Sequence, residues 1–273
     1  MSFHRFEDFA TPAFAPLIST SRNHMIESKY LYYNWNNKPL GTGSEPHYHP
    51  NELLIFVMSG KVNALIGKER QVLTPGMLGM VPPNGRHSFK ACENEDCIYL
   101  YHKDNSWGLV GVREDEVAPE ESMTVKDAHE LKSAGKEGRF YKQDKEASGV
   151  VIEGMRPTFY KILESFDDPI GYANRRQWYG GERLDFGFFE LPEPYEESQA
   201  KSDTDQFMYV IQGTIKVDVN NEKKSVKRGD VIQINVGEPY TLSSDGSDPV
   251  RLARVRPTPT AIKLINSQPP QKT

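Results

Sequence analysis

Short apolar or alternating runs, rich in β-branched and aromatic residues, recur through residues 30–102 and again through 157–256. They include Tyr30–Trp35, Leu53–Met58, Lys61–Ile66 and Cys97–His102, then Leu184–Glu190, Phe207–Ile211, Ile215–Val219, Val231–Val236 and Arg251–Val255. Gly, Pro and Asn bound each run, which is the signature of strands joined by tight turns. Many short strands in close succession predict an all-β sandwich or barrel rather than βαβ units. Between the halves, Lys103 to Gly154 is polar and charged. One short helix is predicted inside it: Thr124 can cap, Asp127 follows three residues later, and Val125, Ala128 and Leu131 form an apolar stripe ending near Gly135. The expected organisation is an N-terminal domain over 1–110, a connector over 111–156 and a C-terminal domain over 157–273.

The two halves align without a gap at an offset of 153 residues. Gly60 falls on Gly213, Val57 on Val210, Val62 on Ile215, Gly76 on Gly229, Val81 on Ile234 and Phe89 on Leu242. Such an alignment predicts a duplicated β unit, in which each glycine closes a turn needing positive φ.

Charge narrows the partners. With 33 basic and 38 acidic residues the formal net charge is −5, and no basic run is longer than the pairs Arg175-Arg176 and Lys223-Lys224. A phosphate backbone needs a basic face, so nucleic acid is not an expected partner. No apolar stretch approaches the roughly 18 residues of a membrane span. The charged start, Phe3 to Asp8, does not resemble a secretory signal, and the expected location is the cytoplasm. Cys92 and Cys97 are the two cysteines, too few for a disulfide framework, and read as reduced thiols near a hairpin.

Candidate chemistry lies in the histidines. Of the seven, His4, His24 and His129 sit in a tail, an N-terminal segment and the connector, where a solvated or packed ring is the plain reading. His47 and His49 alternate on one strand, so both imidazoles project to one side. His87 follows the turn Pro82-Pro83-Asn84-Gly85-Arg86 and can return on a neighbouring strand. Two histidines at i and i+2 with a third from another strand make a facial metal site.

These residues also carry a resemblance. Gly41, His47, His49 and Gly60 fall in the register of the first cupin motif, G-x5-H-x-H-x3,4-E-x6-G, and Gly76, Pro82 and His87 in that of the second, G-x5-P-x-G-x2-H. With the internal repeat, the chain resembles a bicupin, which implies two small antiparallel jelly-roll barrels. Two departures stand out. The family's glutamate ligand falls on Leu53; Glu52 is adjacent but points away by alternation, and joins the set only where a bulge at Pro50-Asn51 turns it back. In the second copy the positions of His47, His49, Leu53 and His87 carry Ala200, Ser202, Gln206 and Tyr240, so no metal is expected there.

Three neutral imidazoles leave the charge of a divalent ion unneutralised, which favours a small anionic chelating substrate such as a diphenol, β-diketone or thiolate. Three-histidine cupins that resemble this pattern include dioxygenases that cleave gentisate-like rings, β-diketones and thiols. The resemblance therefore implies Fe(II) on His47, His49 and His87, with dioxygen as co-substrate and a homodimer as the family habit. A non-redox isomerase, lyase or cyclase using Zn, Mn or Ni needs the same ligands, and a binding or structural bicupin is the third reading. Alternation places Leu53 and Phe89 on the ligand side, with either Tyr99 and Tyr101 or His102 completing the pocket wall.

Overall fold

The computed structural model describes residues 2–13, 18–108, 111–113, 157–171, 173–192, 194–245 and 248–268. The connector helix expected at Thr124–Gly135 lies outside these residues. One compact unit combines Thr11–Ile26 with Tyr32–Ser165; the other combines Met1–Ala10, Glu27–Leu31 and Phe166–Thr273.

In the first unit, one antiparallel sheet runs edge to edge through Phe159–Lys161, Met77–Val81, Leu53–Ser59, Cys97–Asp104, Leu31–Lys38 and Arg22–Glu27. A second sheet runs through Val112–Arg113, His47–Tyr48, His87–Ala91, Val62–Ile66 and Glu69–Leu73. Alternate residues of both sheets fill the space between them: Leu53, Ile55, Val57, Tyr99 and Tyr101 from the first, Val62, Ala64, Ile66, Phe89 and Ala91 from the second. Sheets with one apolar face each must bury those faces against one another, and this is the jelly-roll solution.

The second unit repeats the plan. Its larger sheet runs through Phe3–Arg5, Asp230–Ile234, Gln206–Gln212, Val250–Pro257, Leu184–Leu191 and Arg175–Gly180, its smaller one through Glu196–Gln199, Tyr240–Ser244, Thr214–Val219 and Glu222–Lys227. Every strand anticipated from the hydrophobic pattern is present. The duplication extends to register. Leu53 pairs with Val81 as Gln206 pairs with Ile234, and Tyr101 pairs with Ile55 as Arg254 pairs with Met208.

The repeat glycines show why the offset survives. Gly60 and Gly213 have φ of 69° and 81°, and a Cβ on either would lie 2.2 Å from the Asp96 carbonyl oxygen or 2.5 Å from that of Pro249, itself 153 residues on. No side chain fits either turn. Asn84 takes the left-handed conformation at φ 59°, matching Gly237 at 87°.

The α-helix Pro259–Ser267 was not anticipated. Its signal was local. The Thr258 hydroxyl accepts from the Ala261 amide as N-cap, and Pro259 occupies the first turn, where its missing N–H costs nothing. Among the described residues no helix is long and apolar enough to cross a membrane.

Candidate metal centre

The three histidines converge by the simplest route a sheet allows. His47 and His87 are direct cross-strand partners, and His49 follows two residues after His47. The Pro82–Gly85 turn secures both ends of the set. The Gly85 amide donates to the Pro82 carbonyl (2.9 Å), and the Asn84 amide donates to the carbonyl of His49 (2.9 Å). The nitrogens available as ligands lie within 4.8 Å of one another.

Protonation is settled by the backbone. Each Nδ1 faces a carbonyl oxygen, which can only accept: His47 faces Glu45 at 2.7 Å, His49 faces Asn51 at 3.2 Å and His87 faces Gly85 at 2.8 Å. Each ring therefore carries its proton on Nδ1 and keeps a lone pair on Nε2. The His49 Nε2 is buried with no hydrogen-bond partner. A buried polar atom without a partner is destabilising unless a ligand satisfies it, and the donor chemistry fits a borderline-soft divalent ion.

Burial also keeps the rings neutral. His47 is pushed down to about 4, chiefly by desolvation, while His49 and His87 lie well below the usual imidazole range for the same reason, assisted by the nearby Lys103 ammonium. Neutral rings need shed no proton to ligate at pH 7. A consequence for the metal-free protein follows. His49, His87 and His102 are buried and have folded pKa values below the 6.5 of a free imidazole. The unfolded chain then binds more protons below pH 6.5, so their stabilising contribution is complete above that value and is lost on acidification. Denaturant melts at pH 7.5 and pH 5 are expected to show a loss of at most about 2 kcal/mol per buried histidine.

The described residues lining the cavity are Ile18, Ser19, Ser21, Asn36, Lys38, Ser44, Leu53, Phe89, Tyr99, Tyr101 and Gly111, together with the three histidines. Leu53 and Phe89 thus stand beside the imidazoles, and of the alternatives on the Cys97–Asp104 strand the fold places Tyr99 and Tyr101 there. His102 points to the opposite face, its ring 4.5 Å from that of Tyr33, because adjacent residues of a strand cannot share a side. Glu52 is not part of the converging set. Its amide is held by an Asp104 carboxylate oxygen (2.5 Å) just before the strand begins at Leu53, and that strand pairs in unbroken register with Met77–Val81 from Leu53 to Phe56.

The sequence reading missed two features. It gave the cavity an apolar wall, whereas Ser19, Ser21, Asn36, Lys38 and Ser44 make much of it polar. It also missed Gly111, which packs directly on the His47 ring: a Cβ there would lie 2.4 Å from Cδ2. Gly111→Ala is therefore expected to displace the imidazole and weaken metal affinity by roughly 10–100-fold, the range for losing the support of a ligating histidine, with the melting transition little changed. Competition against a chromophoric chelator measures it.

The second unit handles the same positions differently. The Arg254 guanidinium donates to Gln206 Oε1 (2.8 and 2.5 Å), the Tyr240 hydroxyl (3.0 Å) and Glu197 Oε1 (3.0 Å). Gln206 and Tyr240 stand where Leu53 and His87 stand in the first unit, and Arg254 where Tyr101 does. Ser202, in the place of His49, donates to the Thr204 carbonyl at 2.6 Å. A fixed organic cation holds these side chains together, and among the described residues no metal-ligating triad occurs there.

A family model described as "Cupin domain" matches residues 37–102 and again 189–255. No curated protein matches the sequence. Among solved structures, the chain is similar to a point mutant of Bacillus subtilis oxalate decarboxylase OxdC. The identity is 17% and the TM-score 0.62, with 94% of this chain and 77% of that chain covered. It is also similar to AerE from Microcystis aeruginosa, at 11% identity and TM-score 0.58, over 87% of this chain and 92% of that one. Another structure of the Bacillus decarboxylase, at 15% identity and TM-score 0.62 over 94% of this chain and 77% of that one, is described in terms of its Mn(II) centres. Identities this low speak for the fold alone. Matched twice by the family model, and carrying both histidine motifs in its first half, the chain belongs to the cupin superfamily as a bicupin.

Proposed function

We propose that this bicupin is a metal-dependent enzyme acting on a small anionic chelating substrate, with one divalent ion on His47, His49 and His87. The observation that carries the reading is the donor set itself: three neutral imidazoles, with Leu53 where a glutamate would stand, and no carboxylate among the described residues lining the cavity. A divalent ion held this way keeps its full charge, attracts an anion and favours loss of a proton from it. The described residues leave a cavity of about 30 Å³ beside the three imidazoles. Leu53 and Phe89 offer the substrate's body an apolar surface, and Tyr99 and Tyr101 keep their hydroxyl protons, since burial raises both above the ordinary phenol range.

Fe(II) with dioxygen as co-substrate is the leading form of the proposal, because a facial set leaves positions for a chelate and one further ligand. The likeness to the Mn(II) decarboxylase favours a second form, a non-redox lyase or isomerase using the ion as a Lewis acid. The forms are separated by one experiment. Protein purified anaerobically is analysed for metal, then offered diphenols, β-diketones, thiols and small carboxylates with an oxygen electrode in place. Substrate-dependent oxygen uptake supports the dioxygenase; conversion of an anion without oxygen supports the lyase or isomerase. A protein that takes up no metal overturns both.

A further inference from the structure

The cavity holds a residue that neither the fold nor the metal requires. Lys38 ends the strand Leu31–Lys38 and is 1% exposed. Among the described residues its ammonium has one hydrogen-bond partner, the Ser19 hydroxyl at 3.0 Å. It lines the same cavity as the three imidazoles, close enough that its charge pushes His47 and His87 down. No carboxylate lies among the described lining residues, and the ionisable group that bears on its own pKa is Cys97, whose thiol burial keeps protonated by pushing it up to about 12.

The duplicated unit serves as an internal control. At the 153-residue offset Lys38 becomes Leu191 and Asn36 becomes Phe189, and both of these belong to the second unit's apolar core. The same strand therefore packs well with a leucine in this place. Only the histidine-bearing unit carries a lysine here, and burying an ammonium without a counter-charge is destabilising. An ion on the imidazoles would add a further positive charge to surroundings that already feel Lys38 and Lys103. A single anionic group on that ion leaves Lys38 uncompensated; two groups satisfy both.

Resting on the metal-site reading above, we propose that Lys38 is the substrate-binding residue that receives a second anionic group, so that the substrate is a small dianion held between the metal and the lysine. Ser19 orients the ammonium, and Asn36, whose buried Oδ1 is an acceptor without a hydrogen-bond partner among the described residues, lines the same cavity. Desolvation pushes Lys38 down to about 7, and an arriving anion favours the charged ammonium, which strengthens the grip.

The test is a binding titration rather than a turnover assay. Metal content is measured first. Metal-loaded wild type and Lys38→Met are then titrated calorimetrically with oxalate, malonate and succinate, with acetate as the single-group reference. The wild type is expected to prefer at least one dicarboxylate over acetate, and Lys38→Met to reduce that preference at least about tenfold, while retaining its metal. Lys38→Gln is the second variant should the methionine protein not fold. A preference unchanged within about twofold overturns the proposal. A protein that loads no metal refutes the metal-site reading, and Lys38 is then judged on metal-free protein. There malonate is expected to bind the wild type and not Lys38→Met; equal binding overturns it.

Discussion

His49→Ala is expected to reduce bound metal from near one equivalent per chain to below about a tenth of that, measured by elemental analysis after desalting. His49 is the sharpest choice of the three. Its Nε2 is buried and unpartnered, its Nδ1 proton is already committed to the Asn51 carbonyl, and its carbonyl is fixed by the Asn84 amide. The ring is held in one orientation with one lone pair to offer. Removing a group that only supports such a ring typically weakens affinity 10–100-fold, so removing the donor itself exceeds that range. The apolar core between the sheets does not depend on it, and the variant should fold. His47→Ala and His87→Ala should behave alike, whereas His102→Ala, on the far side of its strand, should keep the metal while altering stability through its packing on Tyr33. A variant of His49 that retains a full equivalent would place the ion elsewhere.

How much of this was legible in the chain follows from what each feature depends on. The strands and the duplication were readable because alternation and turn glycines are local. Gly60 and Gly213 repeat because the same backbone carbonyl closes on each. The histidine triad was readable for a related reason: i and i+2 on a strand share a face without any tertiary knowledge. The facing of Tyr99, Tyr101 and His102 was not, since the Cys97–Asp104 strand is buried along almost its whole length and offers no polar side to break the tie. Its neighbours decide, and they are distant in sequence. Edge strands such as Phe3–Arg5 and Phe159–Lys161 are three residues long and carry no period of their own; only pairing with Asp230–Ile234 and Met77–Val81 defines them. Gly111 and Lys38 were invisible for the same reason. One is a glycine because of a ring 64 residues away, and the other becomes unusual only when its buried surroundings are known.

Arg254 was likewise unreadable, although it governs the second unit. Arg254→Met is expected to destabilise that unit by on the order of 3 kcal/mol, the scale on which a buried pair loses one partner. The reason is what remains behind. Burial alone would raise the Glu197 carboxyl, but the Arg254 guanidinium and the Tyr195 and Tyr240 hydroxyls outweigh it and hold it below the usual carboxylate range. Without the guanidinium, Glu197 is left with two phenols, at 2.6 and 2.7 Å, and no cation. Gln206 loses both donors to its carbonyl oxygen. Pairing Arg254→Met with Glu197→Gln should recover a large part of the loss, because a neutral amide no longer needs the charge. Denaturant melts of the two single variants and the double variant give the coupling directly. If the fold uses this cation in place of an ion, Arg254→Met should leave metal binding at His47, His49 and His87 intact while the melt shifts. A melt that does not move would mean the network is incidental to the second unit's stability.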